Sequence, residues 1–457
     1  MVEDVLQNIS SKIIGYALEK GVSEAEFYGR CDDVLQVEIK SSGVGKIVSR
    51  TMCRYALRIA IGKRVGLVYS ENIDPGSIND LVDKAYSITM NVPEDSSWPG
   101  FSRGYSGYGA VKTYDEGLAS ISPEELVGFI GELIDRSIEA ALEAGASDAS
   151  ITRGYLWVIR SYIYIENSYG DSIGSRSTGF STYYNIYVRR NGGETAYPVM
   201  IQLRKLDREY IVSRSLEDAR AAVRFIGARP IDSGEYQVLL MPEAHGELVD
   251  TVFSPAVSAY NIQRNRSPLK DKVGQRIMSE DVTILDDPHM DYGFGSRSFD
   301  DEGLMTTSKP LVEDGILKNI VYDHYTASIE GRRSTGNAVR RRLYQAPYPA
   351  PLNIVFKPRS KMGLDEMIGM IRRGIIIYRL IGSWMSNPVN GSVQATVTHG
   401  FYVENGEIKY PVKGVVIGGN YYDYLGGKLL ALGDMVINYG SIYAVPVLID
   451  KVSVAGK

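Results

Sequence analysis

Residues 236 to 252 read YQVLLMPEAHGELVDTV, an apolar run that breaks into a segment holding two glutamates and one histidine within five positions. Histidine and glutamate at helical spacing are the materials of a zinc peptidase. An H-E-x-x-H helix sets two imidazoles on one face and a glutamate beside them to work on the bound water. Here Pro242 suits the first helical position, where its missing N–H costs nothing. Glu243 and Glu247 stand four apart, about 40° from each other on one face, and His245 points to nearly the opposite side. The segment therefore has the shape of a zinc helix and cannot supply its pair of imidazoles. Acidic side chains in a first turn have an ordinary explanation too, because they interact favourably with the helix dipole.

The other histidines make no stronger site. His289 lies in LDDPHMDYG, where Asp286, Asp287 and Asp291 could surround a hard cation, although the same residues make an ordinary Asp-Pro turn. His324 falls on an expected helix and reads as structural. His399 is expected at a strand end, with no partner visible in the sequence. G-x-S-x-G and G-x-x-x-x-G-K-[ST] are both absent, and no cysteine has a helper histidine nearby. A basic run, EGRRSTGNAVRRR, carries Arg332, Arg333, Arg340, Arg341 and Arg342. It could meet phosphates or carboxylates, and a charged surface loop is its simplest reading.

The elements that must position these residues divide the chain in two. ALEKGVSEAEF at 17–27 is echoed by ALEAGASDASI at 141–151, each ending a helical period at a glycine, Gly21 or Gly145, and each leading into alternating strand-like residues. A helix-and-sheet unit used twice is the simplest account. The expected organisation is an N-terminal α+β domain over 1–228, with repeat units at about 1–98 and 112–226 and a connector at 99–111. A strand-rich domain over 235–457, mixed-sheet or barrel-like, follows. Its expected helices are 242–259, one around 318–332, and 363–382. VENGEIKY marks a hairpin turning at Asn405-Gly406.

With 457 residues, 44% hydrophobic and 23% charged, the chain is ordinary globular material for two domains. A net charge of −5 argues against nucleic acid or an anionic membrane as main partner. No stretch reaches the about 18 uncharged apolar residues of a membrane span, and the first residues lack a signal peptide's apolar core. Cys31 and Cys53 have no C-x-x-C spacing, so reduced thiols in a cytoplasmic protein are expected.

Taken together, GSRSFDDEGLMTTSKPLVEDGILKNIVYDHYTASIEGRRSTGNAVR, IENSYG at 165–170, RIAIGKRVGLVYS at 58–70 and the terminal AVPVLIDKVSVAG resemble the TldD/PmbA proteins, also described as modulators of DNA gyrase. The resemblance covers essentially the whole chain. It implies a two-subunit peptidase in which TldD carries zinc on a His-Glu-x-x-x-His helix with a late cysteine, while PmbA, or TldE, keeps the fold without the ligands. Set against that motif, Pro242 stands for the first histidine, Glu243 keeps the glutamate and Glu247 replaces the second histidine. The late cysteine is missing from GGNYYDYLGGKLLALGD. The resemblance thus implies no zinc in this chain and inactivity alone. It also implies pairing through the C-terminal domain with a TldD-like zinc subunit, acting on unfolded peptides. A homodimeric peptide- or ligand-binding protein without proteolytic role is the other reading. The tyrosines of GGNYYDYLGG are candidates for the interface or cleft wall.

Overall fold

The computed structural model describes residues 2–71 and 75–457. The N-terminal half is one unit built twice. Helix α1 (Val2–Glu19) leads into strands β1 (Glu24–Lys40), β2 (Gly43–Ile61) and β3 (Arg64–Ser70), closed by helix α2 (Ile78–Asn91). After the connector, helix α3 (Pro123–Glu143) leads into β4 (Asp148–Asn167), β5 (Ser172–Arg190) and β6 (Gly193–Leu203), closed by α4 (Arg208–Arg224). The strands form one antiparallel sheet in the order β3-β2-β1-β4-β5-β6, so the two units join along their first strands. Gly21 and Gly145 end their helices at φ +82° and +99°, the left-handed conformation for which glycine carries no Cβ penalty. The helices cover one sheet face. The other face, carrying Glu26, Tyr28, Arg30 and Asp32 of β1, turns toward the C-terminal half.

That half contains β7 (Gly234–Leu240), α5 (Pro242–Leu248), β8 (Arg373–Ile381), β9 (Ser392–Glu404), β10 (Glu407–Val412), β11 (Val415–Asn420) and β12 (Val447–Ala455). β7, β8, β9, β11 and β12 pair in a closed ring of five strands, the parallel β7–β8 contact included. The class is α+β, with a duplicated helix–sheet unit followed by a strand-rich, barrel-like part, as the pattern predicts. Asn405 and Gly406 turn the β9–β10 hairpin at φ +49° and +77°.

Residues 363–382 are a correction. Only Leu364–Gly369 is helical, and RGIIIYRLI is β8. Ile375 and Ile377 face the barrel core, whereas Ile376 faces the core shared with α3 and α4. A strand buried on both faces reads as a continuous apolar run with no alternation, and β-branched residues favour it. Val238 and Leu240 against Leu239 repeat the arrangement on β7. Each such side chain contributes about 1.5–3 kcal/mol by leaving water, so the barrel wall is also the seam between the halves.

Cys31 and Cys53 correct a second expectation. The β1–β2 register sets them directly opposite, with Cα atoms 4.0 Å apart, and they form a disulfide. Tyr421 and Tyr424 pack inside the C-terminal core instead of at an interface, leaving only Tyr422 partly exposed in that stretch. Among the described residues no helix is long and apolar enough to cross a membrane.

Candidate functional site

Helix α5 starts directly after β7, with Pro242 at its first turn. Its packing onto the strand Ile437–Tyr439 depends on Gly246, where an added Cβ would meet Tyr439 Cβ at 2.7 Å. The two faces of α5 meet different surroundings. His245 is buried, its Nδ1–H donating to Val445 O (2.9 Å) and its Nε2 accepting from the Tyr421 hydroxyl (3.2 Å). Glu243 and Glu247 line a cleft of about 500 Å³. One wall of the cleft is β5 and β6, through Tyr183, Asn185, Ala196, Pro198 and Met200. Arg379 to Ile381, Trp384 and His399 form much of the other.

Glu243 belongs to a buried cluster of four charges. Arg214 of α4 bonds Asp218 in two places (3.2 Å each) and reaches Glu243. Arg379 of β8 contacts Glu243 (3.1 Å) and Asp218 (3.6 Å) from the other side, and lies 4.9 Å over the Tyr197 ring. Burial pushes the Glu243 carboxyl up, but Arg379 and Arg214 outweigh it and hold the group below the usual range. Burial raises Asp218 despite the same two arginines. Glu247 accepts from Ser383 Oγ at 2.5 Å, and burial raises it.

These residues do not fit zinc. Pro242 offers no donor atom, Glu243 is committed to two guanidinium groups, and the only imidazole of the helix points away from the cleft. A general base works best with a pKa near the operating pH, and Glu243 is held in the opposite direction. Among the described residues no three His, Cys, Asp or Glu side chains gather where they could hold a metal ion.

The remaining candidates disperse. Around His289, Asp286 is taken by Lys309 (3.0 Å) and Asn337 (2.7 Å), Asp291 by Lys112 (3.0 Å), and the imidazole meets Thr306 Oγ1 (3.0 Å). His324 opens a short helix, where its backbone N–H donates to Glu302 (2.9 Å). His399 is not at a strand end without a partner. It sits inside β9, and its Nε2–H donates to Ala196 O on β6 (3.0 Å). The arginine run splits as well. Arg341 and Arg342 are exposed, whereas Arg340 is fully buried against Glu26 of β1 and is not part of a surface loop.

The FDDEG segment is likewise a clamp between the halves. Asp301 accepts from the Tyr28 hydroxyl (3.1 Å), Arg297 (2.9 Å) and the Arg340 N–H (2.6 Å), and Glu302 meets Arg58 (3.5 Å). The connector passes beneath it, with Tyr108 donating to Gly303 O (2.6 Å). Sequence reasoning missed Arg214, Asp218 and Arg379. One signal was present: an arginine inside GIIIYRLIG is a charge in a buried strand, and such a charge requires a partner.

Burial lowers His245 to about 4, against the raising effect of its bond to Val445. The unfolded chain protonates this ring near 6.5 and the native one only near 4, so its contribution is full above 6.5 and is lost as pH falls toward 4. That contribution amounts to about 3 kcal/mol. Asp323, raised to about 7 by burial and by Glu302, runs in the opposite sense, but it cancels between parent and variant. His245→Gln is expected to flatten the pH dependence of unfolding free energy by about 1.2 kcal/mol per pH unit between 4.5 and 6. Denaturant titrations giving parallel curves would show that His245 titrates normally.

Comparison with known proteins gives the same outline. Residues 233–456 match the PmbA/TldA metallopeptidase C-terminal domain. An uncharacterised protein of Methanocaldococcus jannaschii is 31% identical over 89% of this chain and 92% of its own length. Metalloprotease PmbA of Escherichia coli O157:H7 is 24% identical over 96% of this chain and 90% of its own. The crystal structure of TldE from Thermococcus kodakarensis superposes with a TM-score of 0.85 at 24% identity, over 98% of this chain and 100% of that one. With the sequence motifs, the closed barrel and the altered helix α5, these matches establish that the chain belongs to the TldD/PmbA family.

Proposed function

We propose that this chain is the non-catalytic, TldE-like member of a metallopeptidase pair in the cytoplasm. A TldD-like zinc subunit performs the hydrolysis, and this chain helps guide an unfolded peptide to it. The observation that carries the reading is the Arg214–Asp218–Glu243–Arg379 cluster, which commits to ion pairs the one glutamate of helix α5 that matches the metal motif implied by the resemblance.

The cleft beside it suits an extended chain. β6 is an edge strand of its sheet. Pro198, lacking an N–H, must sit in a non-hydrogen-bonded pair with Asn185, so residues of its parity turn their backbone groups to the open edge. The carbonyls of Ala196 and Gln202 on that edge accept from His399 and Asn438 (2.8 Å). The N–H and C=O of Met200 between them are placed to pair with a peptide backbone whatever its sequence. Ile381 (51% exposed), Trp384 (72%) and Met385 (62%) supply an apolar rim, the kind of surface that marks an interaction site.

Purified alone, the chain should carry no stoichiometric zinc and cleave no peptide. Added to its zinc sister, it should change the sister's mass in light scattering and raise its rate on an unstructured peptide, and Trp384→Asp should reduce that gain. One equivalent of tightly held zinc, with peptidase activity removed by a chelator and by Glu243→Gln, would overturn the proposal. So would a homodimer that ignores the sister.

A further inference from the structure

On the open face of the N-terminal sheet a second cavity, of about 100 Å³, lies between the two halves. Its floor is one row of the sheet, because the register aligns Arg30, Ile163 and Ser175 across β1, β4 and β5, with Ser177 in the next row and Arg54 of β2 beside Arg30. Ser296, Arg297 and Phe299 roof it, and Thr113 and Arg204 close its sides.

The charges around it do not balance. Asp32 takes Arg30 (2.9 Å) and Arg54, and Asp301 takes Arg297 (2.9 Å). Arg204 has no carboxylate within 4.0 Å among the described residues; its Nε and Nη2 donate to a single carbonyl, Phe294 O (2.9 and 2.7 Å). Four guanidinium groups thus meet two carboxylates. Burial lowers Arg204 to about 10, helped by Arg297 and then Arg30, as expected of a cation enclosed without a counter-charge. The Ser177 hydroxyl has no hydrogen-bond partner among the described residues and lines the same space. A surplus of two positive charges, planar donors and a free hydroxyl are what a tetrahedral oxyanion needs. At about 100 Å³ the cavity has room for one such ion.

We propose that this cavity binds one inorganic oxyanion of the phosphate or sulfate kind, held by Arg204, Arg30 and Arg297, which staples the N-terminal sheet to the C-terminal half. The ion contacts residues of both halves, so binding it stabilises their packing and therefore the native fold. The site is separate from the peptide cleft: the two share no lining residue.

The test uses the whole chain, with calorimetric titration of inorganic phosphate and thermal unfolding at constant ionic strength. Phosphate and sulfate should bind saturably at one site per chain and raise the melting temperature. Chloride and acetate should not. Arg204→Met should weaken phosphate binding by about tenfold or more, the scale of a lost charge-assisted bond. Ser177→Asp, which builds a carboxylate into the cavity, should melt higher than the parent in phosphate-free buffer and ignore phosphate. No saturable phosphate binding by the parent would overturn the proposal. A full phosphate response surviving in Ser177→Asp would do the same.

Discussion

Replacing Arg340 by alanine is expected to cost the fold about 3–5 kcal/mol, while the same change at Arg341, the next residue of the same basic run, should cost less than about 0.5 kcal/mol. The difference comes from where the two side chains end. Arg341 is exposed and packs against the Tyr348 ring at 5.3 Å. Arg340 has no exposed side-chain surface, and neither has its partner Glu26. Its Nε donates to Asp301 O (3.3 Å), and its guanidinium covers the Tyr28 ring at 4.9 Å. Truncation leaves Glu26 buried with Arg58 alone, opens a cavity in the clamp, and removes a direct tie between β1 and the C-terminal half. Denaturant unfolding of both variants measures the contrast. Equal losses at 340 and 341 would show that the buried pair contributes nothing beyond a surface arginine. The connector at 99–111 should also become easier to cleave in Arg340→Ala, because Phe101, Ser102 and Tyr108 are held by the surfaces the clamp brings together.

What the sequence disclosed follows from the range of the forces involved. The duplicated unit was legible because its signals are local: a helical period, a glycine in the left-handed conformation, then alternation. The orientation of α5 was legible for the same reason, since residues two and four apart on a helix have fixed directions. β8 was not, because burial on both faces erases the period by which a strand is recognised. The pairing of Cys31 with Cys53 depends on the register of two long strands, which no spacing of the cysteines encodes. The basic run looked like one surface feature because its residues are consecutive, and the fold sends Arg340 inward while Arg341 and Arg342 stay out. The clamp and the four-charge cluster join residues more than a hundred positions apart. Sequence could mark Arg379 as a charge requiring a partner, and only the fold supplies Arg214, Asp218 and Glu243.

That cluster yields the second large effect, and it separates a structural from a catalytic role for Glu243. Arg379→Met leaves Glu243 and Asp218 sharing Arg214 in a site where all four side chains are 15% exposed or less. An uncompensated charge at such depth costs several kcal/mol, so a loss of about 3–5 kcal/mol is expected. Glu243→Gln removes the opposite charge and leaves Arg379 with Asp218 at 3.6 Å, for a loss of about 2–4 kcal/mol. The double variant Arg379→Met with Glu243→Gln deletes one charge of each sign. It keeps Arg214 on Asp218, so its loss should fall short of the sum of the two single losses by a coupling energy of about 1–3 kcal/mol. A catalytic glutamate predicts otherwise: loss of activity with little loss of stability, and losses that add in the double variant. Additive losses in denaturant unfolding would therefore remove the cluster as the structural role of Glu243. Strong coupling would mean that its carboxylate serves the contact between α4, α5 and β8.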